Sequence, residues 1–203
     1  MEETTPKPSW WQRYKAFREE HTFAQYLQRL FLKAILYFLG ISLALVLIFK
    51  FVPVWFTPTM LDRKLEAIAD GRDSEIYSDW EPYENISKEV ALAVVASEDQ
   101  LFPEHHGFDF DAMWGAFRHN FKGKKIKGAS TISQQVAKNV FLWQGRSYVR
   151  KALEAYFTLL IELIWGKERI LEVYLNVAET GKMTFGVEAA SLKYYGHSAK
   201  SLT

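Results

Sequence analysis

The stretch AILYFLGISLALVLIF at residues 34–49 constrains this chain most, because it is uncharged, is bounded by Lys33 and Lys50 and is prolonged by FVPVWF. A run of that length matches the hydrocarbon core of a bilayer, and the flanking lysines can snorkel to the headgroups. It reads as one membrane-spanning helix over residues 34–56. A cleaved signal peptide fits less well, because the run starts more than thirty residues into the chain and no small-residue cleavage site follows it. Lys7, Arg13, Lys15, Arg18, Arg29 and Lys33 precede the run, and only Lys50, Arg63 and Lys64 follow it closely. The positive-inside bias therefore puts residues 1–33 in the cytoplasm and everything from about residue 57 on the other side.

Residues 57–85, with Pro58, Gly71 and Pro82, read as a connector with a short strand around SEIYSDW. Residues 86–203 have the size of one domain and read mostly helical. The 25 Lys and Arg balance the 24 Asp and Glu, so any electrostatic role is local and no general affinity for nucleic acid follows. The absence of Cys removes disulfides, thiolate metal sites and a cysteine nucleophile.

Local chemistry concentrates first in SEDQLFPEHHGFDFD, residues 97–111, where Glu98, Asp99, Glu104, His105, His106, Asp109 and Asp111 follow the apolar helical run VALAVVA. A Glu beside Val94, Val95, Leu101 and Phe102 is expected to be partly desolvated, which favours a base. Adjacent His105 and His106 point apart on most backbones, so no dedicated histidine metal site is read here.

In GASTISQQVAKNVFLW, residues 128–143, Thr131 and Gln134 fit a capping box, and Ile132, Val136 and Val140 share an apolar face. Ser130, Gln134, Gln135, Lys138 and Asn139 add a polar cluster beside a cation, suited to phosphate or sugar oxygens. The next helix, residues 146–166, is apolar nearly all round except for Arg150, Glu154, Thr158 and Glu162 at steps of four. Glu162 reads as ion-paired. Glu154 reads as a cavity residue, since a carboxylate on a buried helix must be paired, face water or serve chemistry. Asn176 and Glu172, on the following helix, read as satisfied hydrogen-bonding groups. Met113, Trp114, Phe117 and Phe121 alternate with Arg118, Lys122, Lys124, Lys125 and Lys127, a pattern suited to a lipid surface.

Five ordered motifs carry a family resemblance: Glu98-Asp99-x-x-Phe102-x-x-His105-x-Gly107; Gly128-x-Ser130-Thr131-Ile132-x-Gln134-Gln135-x-x-Lys138-Asn139; Arg150-Lys151-x-x-Glu154; Ile170-Leu171-Glu172-x-Tyr174-Leu175-Asn176; and Gly186-x-x-Ala189-Ala190. Their order and content resemble the peptidoglycan glycosyltransferases, the glycosyltransferase family 51 domain, in the monofunctional form with one anchor and no transpeptidase. The chain closes at HSAKSLT, directly after the fifth motif, where the family domain is expected to continue.

That resemblance implies a mainly α fold, with one N-terminal transmembrane helix followed by a lysozyme-like helical domain and a small membrane-facing lobe. It implies inverting transfer of a lipid-linked glycan to the 4-hydroxyl of lipid II, with release of undecaprenyl pyrophosphate at the bacterial inner membrane. By matching position, Glu98 is the general base and Glu154 the second acid. Lys138 and Arg146 face the donor pyrophosphate, and Ser130, Gln134, Gln135, Asn139 and Arg150 contact substrate. Asp99, Phe102, His105, Gly107, Asp109 and Asn176 support the site. No cofactor is required by the resemblance, and Mg or Mn bridging pyrophosphate and carboxylates is compatible with hard oxygen ligands. Implied partners are lipid II, the lipid-linked strand, the bilayer, wall-synthesis or division proteins and phosphoglycolipid inhibitors of the moenomycin type. A lysozyme-like hydrolase would need a protonated acid where Lys138 and Arg146 stand. A non-catalytic membrane scaffold would leave Glu154 without a reason.

Overall fold

The computed structural model describes residues 7–20, 23–121, 128–145 and 147–203. The chain divides into two units, Met1–Leu45 and Val46–Thr203. The first contains α1 (Trp10–Glu20) and most of α2 (Phe23–Phe51). With 29 residues at about 1.5 Å each, α2 is long enough to cross a membrane, and its mean hydropathy reaches 2.4 over an 18-residue window. It begins before the uncharged run because a helix satisfies its own backbone on either side of the hydrocarbon boundary, so Gln25 to Lys33 can continue it into a polar environment.

The second unit is mainly helical. In chain order it contains α3 (Pro58–Ala69), β1 (Tyr77–Ser78), α4 (Lys88–Glu98), α5 (Phe110–Phe121), α6 (Ile132–Phe141), α7 (Tyr148–Ile164), α8 (Lys167–Val177), β2 (Glu179–Gly181), β3 (Thr184–Phe185) and α9 (Val187–Tyr195). Helix α6 is the hub. Ile132, Val136, Ala137 and Val140 are buried against α7 and α8, where Ile161, Ile170, Val173 and Leu175 complete the core. Phe141 stacks on Phe157 with centroids 4.5 Å apart and also meets Trp165. Glu162 is paired as expected, accepting from Ser133 Oγ at 2.5 Å and Lys167 Nζ at 2.8 Å.

Residues 57–85, expected as a connector, carry structure that packs. Thr57 caps α3 by accepting from Met60 N, Pro58 occupies the first turn where its missing N–H costs nothing, and Met60 and Ala67 are buried. The short strand expected around residues 74–80 is β1, which pairs in parallel with β3, while β2 pairs antiparallel on its other side.

The last turn of α2 belongs to this second unit, and Val46 lies in its core. A helix end leaves carbonyls without intrahelical donors. Here Arg169 Nη2 supplies a donor to Phe49 O at 2.8 Å and, just past the helix, to Val52 O at 2.7 Å, while Trp165 Nε1 adds a hydrogen bond to Val46 O at 2.7 Å one turn earlier. Arg169 is in turn held by Glu172 at 2.5 Å and lies over the Trp80 ring. Its positive charge also complements the negative end of the helix dipole. Arg169→Leu is expected to lower the unfolding free energy by about 2–4 kcal/mol, the scale for losing several charge-assisted hydrogen bonds. Chemical denaturation in detergent would measure it, and a change below about 0.5 kcal/mol, the range of ordinary surface substitutions, would deny this capping role.

Candidate active site

The acid-rich turn is built around Asp99, which ends α4 and is buried. Its Oδ2 accepts from Ile132 N at 2.9 Å, an orphan donor at the positive N-terminus of α6. Both carboxylate oxygens also meet His105 Nε2, at 2.9 and 3.0 Å. Because His105 Nδ1 accepts from Gly107 N at 3.1 Å, the imidazole proton sits on Nε2 and donates to Asp99.

Gly107 is required twice over. Its φ is +90°, and a Cβ there would stand 2.7 Å from Thr158 Cγ2 on α7. Its carbonyl accepts from Thr131 Oγ1 at 2.7 Å, and Lys167 Nζ donates to His105 O at 2.5 Å. Phe102 is buried under the loop with His105 edge-on to its ring. The turn is thus clamped to the starts of α6 and α8, and Glu98, one residue before Asp99, is delivered to a fixed place.

Glu98 itself is exposed at a cleft mouth, not desolvated as expected, because Phe102 turns inward while Leu101 stays at the surface. Its Oε2 accepts from Gln135 Nε2 at 3.0 Å. Gln135 Oε1 lies 3.5 Å from the hydroxyl of Tyr174, whose pKa is pushed up to about 12, first by burial and then by the charge of Glu98. The phenol therefore stays protonated, and it orients the Gln135 amide with its NH₂ toward Glu98.

Glu98 and Gln135 line two cavities at once. One, of about 590 Å³, is also bordered by Gln100, Asp109, Gly128, Ser130 and Thr131. The other, of about 250 Å³, is bordered by Thr59, Arg63, Lys138, Asn139, Gln144, Tyr174 and Glu179. The two differ in chemistry. The first has acids and hydroxyls, and the second brings Lys138 and Arg63 together, with Glu179 paired to Arg63. Burial depresses the pKa of Lys138, an effect opposed by the charge of Glu154 and reinforced by Arg150, Lys151 and Arg63. An anion placed in this cavity would relieve both the burial and the crowding of positive charge.

The remaining expected residues divide by position. Ser130 and Asp109 border the larger cavity, and Asp109 also caps α5 by accepting from Ala112 N at 2.8 Å. Asn139 borders the smaller, with Oδ1 accepting from Thr59 Oγ1 at 3.3 Å. Gln134 turns inward, buried in the capping box, where its Oε1 accepts from Thr131 N. Asn176 staples the chain before α4 by accepting from Glu81 N and donating to Glu81 O, both at 2.8 Å.

Glu154 borders neither of these cavities. It is buried on α7 between Arg150, 2.9 Å away, and Lys151, and Arg150 Nε in turn donates to Gly145 O. It acts on the site through its charge toward Lys138. Arg146 lies outside the described residues. Among the described residues no group of three His, Asp or Glu is arranged to hold a metal ion. Asp99 and Asp109 are engaged by backbone donors, which leaves Glu98 as the accessible carboxylate between the cavities.

Sequence reading missed Arg63, Thr59 and Gln144. Arg63 Nε donates to Glu179 at 2.8 Å and Nη1 to Glu66 at 2.9 Å, and these carboxylates raise its pKa. Gln144 N donates to Asp62 and its Nε2 to Thr59, both at 2.6 Å. The only local signal was a polar turn of α3, which does not say what that turn faces.

Comparison with known proteins identifies the family. A family model described as Transglycosylase matches residues 64–203. The chain is similar to proteins named biosynthetic peptidoglycan transglycosylase. It is 53% identical over 175 residues to that of Pseudomonas fluorescens, covering 86% of this chain and 73% of the relative. It is 54% identical over 175 residues to that of Chromohalobacter salexigens, covering 86% and 75%. With that of Pseudomonas putida, identity is 53% over 171 residues, covering 84% and 72%. A transglycosylase family model spanning more than half of the chain and about 53% identity to named family members over most of its length make one conclusion: this chain belongs to the transglycosylase family.

Proposed function

We propose that this enzyme polymerises lipid II into peptidoglycan glycan strands, using Glu98 as general base at the boundary of its two cavities. The observation that carries this reading is that one accessible carboxylate, oriented by Gln135, borders both a polar cavity and a second cavity that holds Lys138 and Arg63. The larger cavity takes the acceptor sugar of lipid II. Glu98 accepts the proton of its 4-hydroxyl as that oxygen attacks the anomeric carbon of the lipid-linked donor. The bond from that carbon to the pyrophosphate oxygen breaks on the opposite face, so the configuration inverts. Undecaprenyl pyrophosphate departs with its electron pair, and Lys138 and Arg63 in the smaller cavity balance the charge. A pyrophosphate leaving group needs cations, not a proton donor. Glu154 keeps Arg150 and Lys151 in place and offsets part of the local positive charge.

A hydrolase would need a second, proton-donating carboxylate at the leaving group. Glu154, the available partner by sequence, is committed to two cations and borders neither cavity. The charge asymmetry around α2 supports a cytoplasmic N-terminus and a catalytic unit outside, and lipid II as substrate supports the bacterial inner membrane. On α5, Phe110, Trp114, Phe117 and Phe121 are exposed with Arg118 over the Trp114 ring at 5.1 Å, a surface suited to lipid. A phosphoglycolipid of the moenomycin type would compete for the smaller cavity through its phosphate.

Glu98→Gln keeps size and can still accept from Gln135, but cannot take a proton. It is expected to lower glycan polymerisation by about 10²- to 10⁴-fold with lipid II binding retained. Activity within a few-fold of wild type would end the base assignment, and shortening of preformed strands by the wild type would favour the hydrolase. Lys138→Met is expected to lower single-turnover rates about 10²-fold. Arg63→Ala should cost less, about 10-fold, because Glu66 and Glu179 already neutralise part of its charge. Equal retention of rate in both would remove the pyrophosphate from this cavity. For topology, a reporter active only outside the cytoplasm is expected to work after Thr57 and fail before Lys33, and the reverse pattern would invert the orientation.

A further inference from the structure

Helix α1 has no role in the chemistry above, yet its composition is specific. Trp10 and Tyr14 are one turn apart and Trp11 lies beside them, stacked on Tyr14 with centroids 5.5 Å apart and edge-on to Trp10 at 5.4 Å. All three rings are exposed, Trp10 at 75% and Trp11 at 51%. Helical spacing puts Arg13 on one flank of this aromatic face, Lys15 on the other and Arg18 at its C-terminal end, while Gln12 falls on the opposite side. Exposed Trp and Tyr are costly against water alone but well suited to a headgroup layer, where an apolar ring and a polar edge are both satisfied.

Charge selects the kind of layer. Residues 7–33 contain six cations, Lys7, Arg13, Lys15, Arg18, Arg29 and Lys33, against Glu19 and Glu20. Only residues 21 and 22 separate α1 from the membrane-crossing α2. At the start of α2, Tyr26, Arg29, Leu30, Leu32, Lys33 and Leu36 line a groove of about 390 Å³ that joins an apolar wall to two cationic residues. A lipid with an anionic headgroup matches both halves of that groove.

We propose that α1 is an interfacial helix that lies on an anionic phospholipid surface at the N-terminal side of α2, aromatic face inward and Arg13, Lys15 and Arg18 at the phosphates. This role needs only that α2 crosses a membrane and is independent of the chemistry at Glu98. It makes the N-terminal unit responsive to the charge of the lipid around it.

The chain has no Cys, so a single introduced thiol is unique. The full chain carrying Tyr14→Cys or Gln12→Cys would be spin-labelled and reconstituted into vesicles of phosphatidylcholine alone or with about one third phosphatidylglycerol, near the anionic content of charged leaflets. In the anionic vesicles the label at position 14 is expected to be shielded from a water-soluble relaxant and open to oxygen, and the label at position 12 the reverse. Removing cations through Arg13→Gln, Lys15→Gln and Arg18→Gln should reduce the lipid-bound population by about 5-fold per charge. Polymerisation in detergent should not change. Equal exposure of both positions, or the same contrast in uncharged vesicles, would overturn the proposal. So would shielding at position 14 that grows with protein concentration in detergent, which would mean a second copy covers the face.

Discussion

The Asp99 carboxylate is the joint on which the catalytic half of the molecule depends. One group ends α4, receives the first free amide of α6 and holds the His105 imidazole. Each contact answers a separate physical need: an orphan helix donor, a positive helix end and a buried imidazole N–H. Because all three converge on one buried side chain, the end of α4 and the start of α6 cannot move apart without exposing unpaired polar groups. Glu98 and Gln135, which face each other across that junction, inherit its rigidity. The position of the accessible carboxylate is thus a consequence of the buried one beside it.

Charge is distributed by the same logic. Lys138 and Arg63 border the smaller cavity, where Arg63 is paired with Glu66 and Glu179, and Arg150 and Lys151 are matched by Glu154 within α7. Buried Glu154 thus lets four positive side chains collect in one region without each facing the others unscreened. The scaffold around the cavity thus stays paired. The end of α2 follows the same rule, since Arg169 of the catalytic unit meets the Phe49 and Val52 carbonyls and Trp165 donates to Val46 O. The terminal turn of the membrane helix is therefore a packed part of that unit.

Much of this was legible in the linear chain because the signals are local. An uncharged run bounded by lysines specifies a helix long and apolar enough to cross a membrane, through length and hydropathy alone. The Thr131 and Gln134 pair specifies a helix start because both hydrogen bonds of the capping box close within three residues. The pairing of Glu162 and the satisfied state of Asn176 were legible too, since a buried polar side chain leaves few alternatives. Ordered motifs around Glu98, Lys138 and Glu154 carried the family.

Other parts required the folded chain. Local spacing placed Glu154 and Gln134 on polar stripes, but a stripe does not say whether it faces a cavity or a partner, and both proved to be engaged within the protein. Arg63, Thr59 and Gln144 join the site only because α3 packs beside α6, a contact across some eighty residues that no short window contains. Likewise, the exposure of Glu98 was decided by which way Phe102 and Leu101 turn. Sequence by itself determined the long apolar helix, the helical class, the capped start of α6 and the residues able to do the chemistry, because hydropathy, capping and side-chain type act over a few residues. Tertiary structure alone decided which carboxylate stays accessible, which cations share a cavity and which charges are spent on one another, because these are matters of burial and distance between segments far apart in the chain.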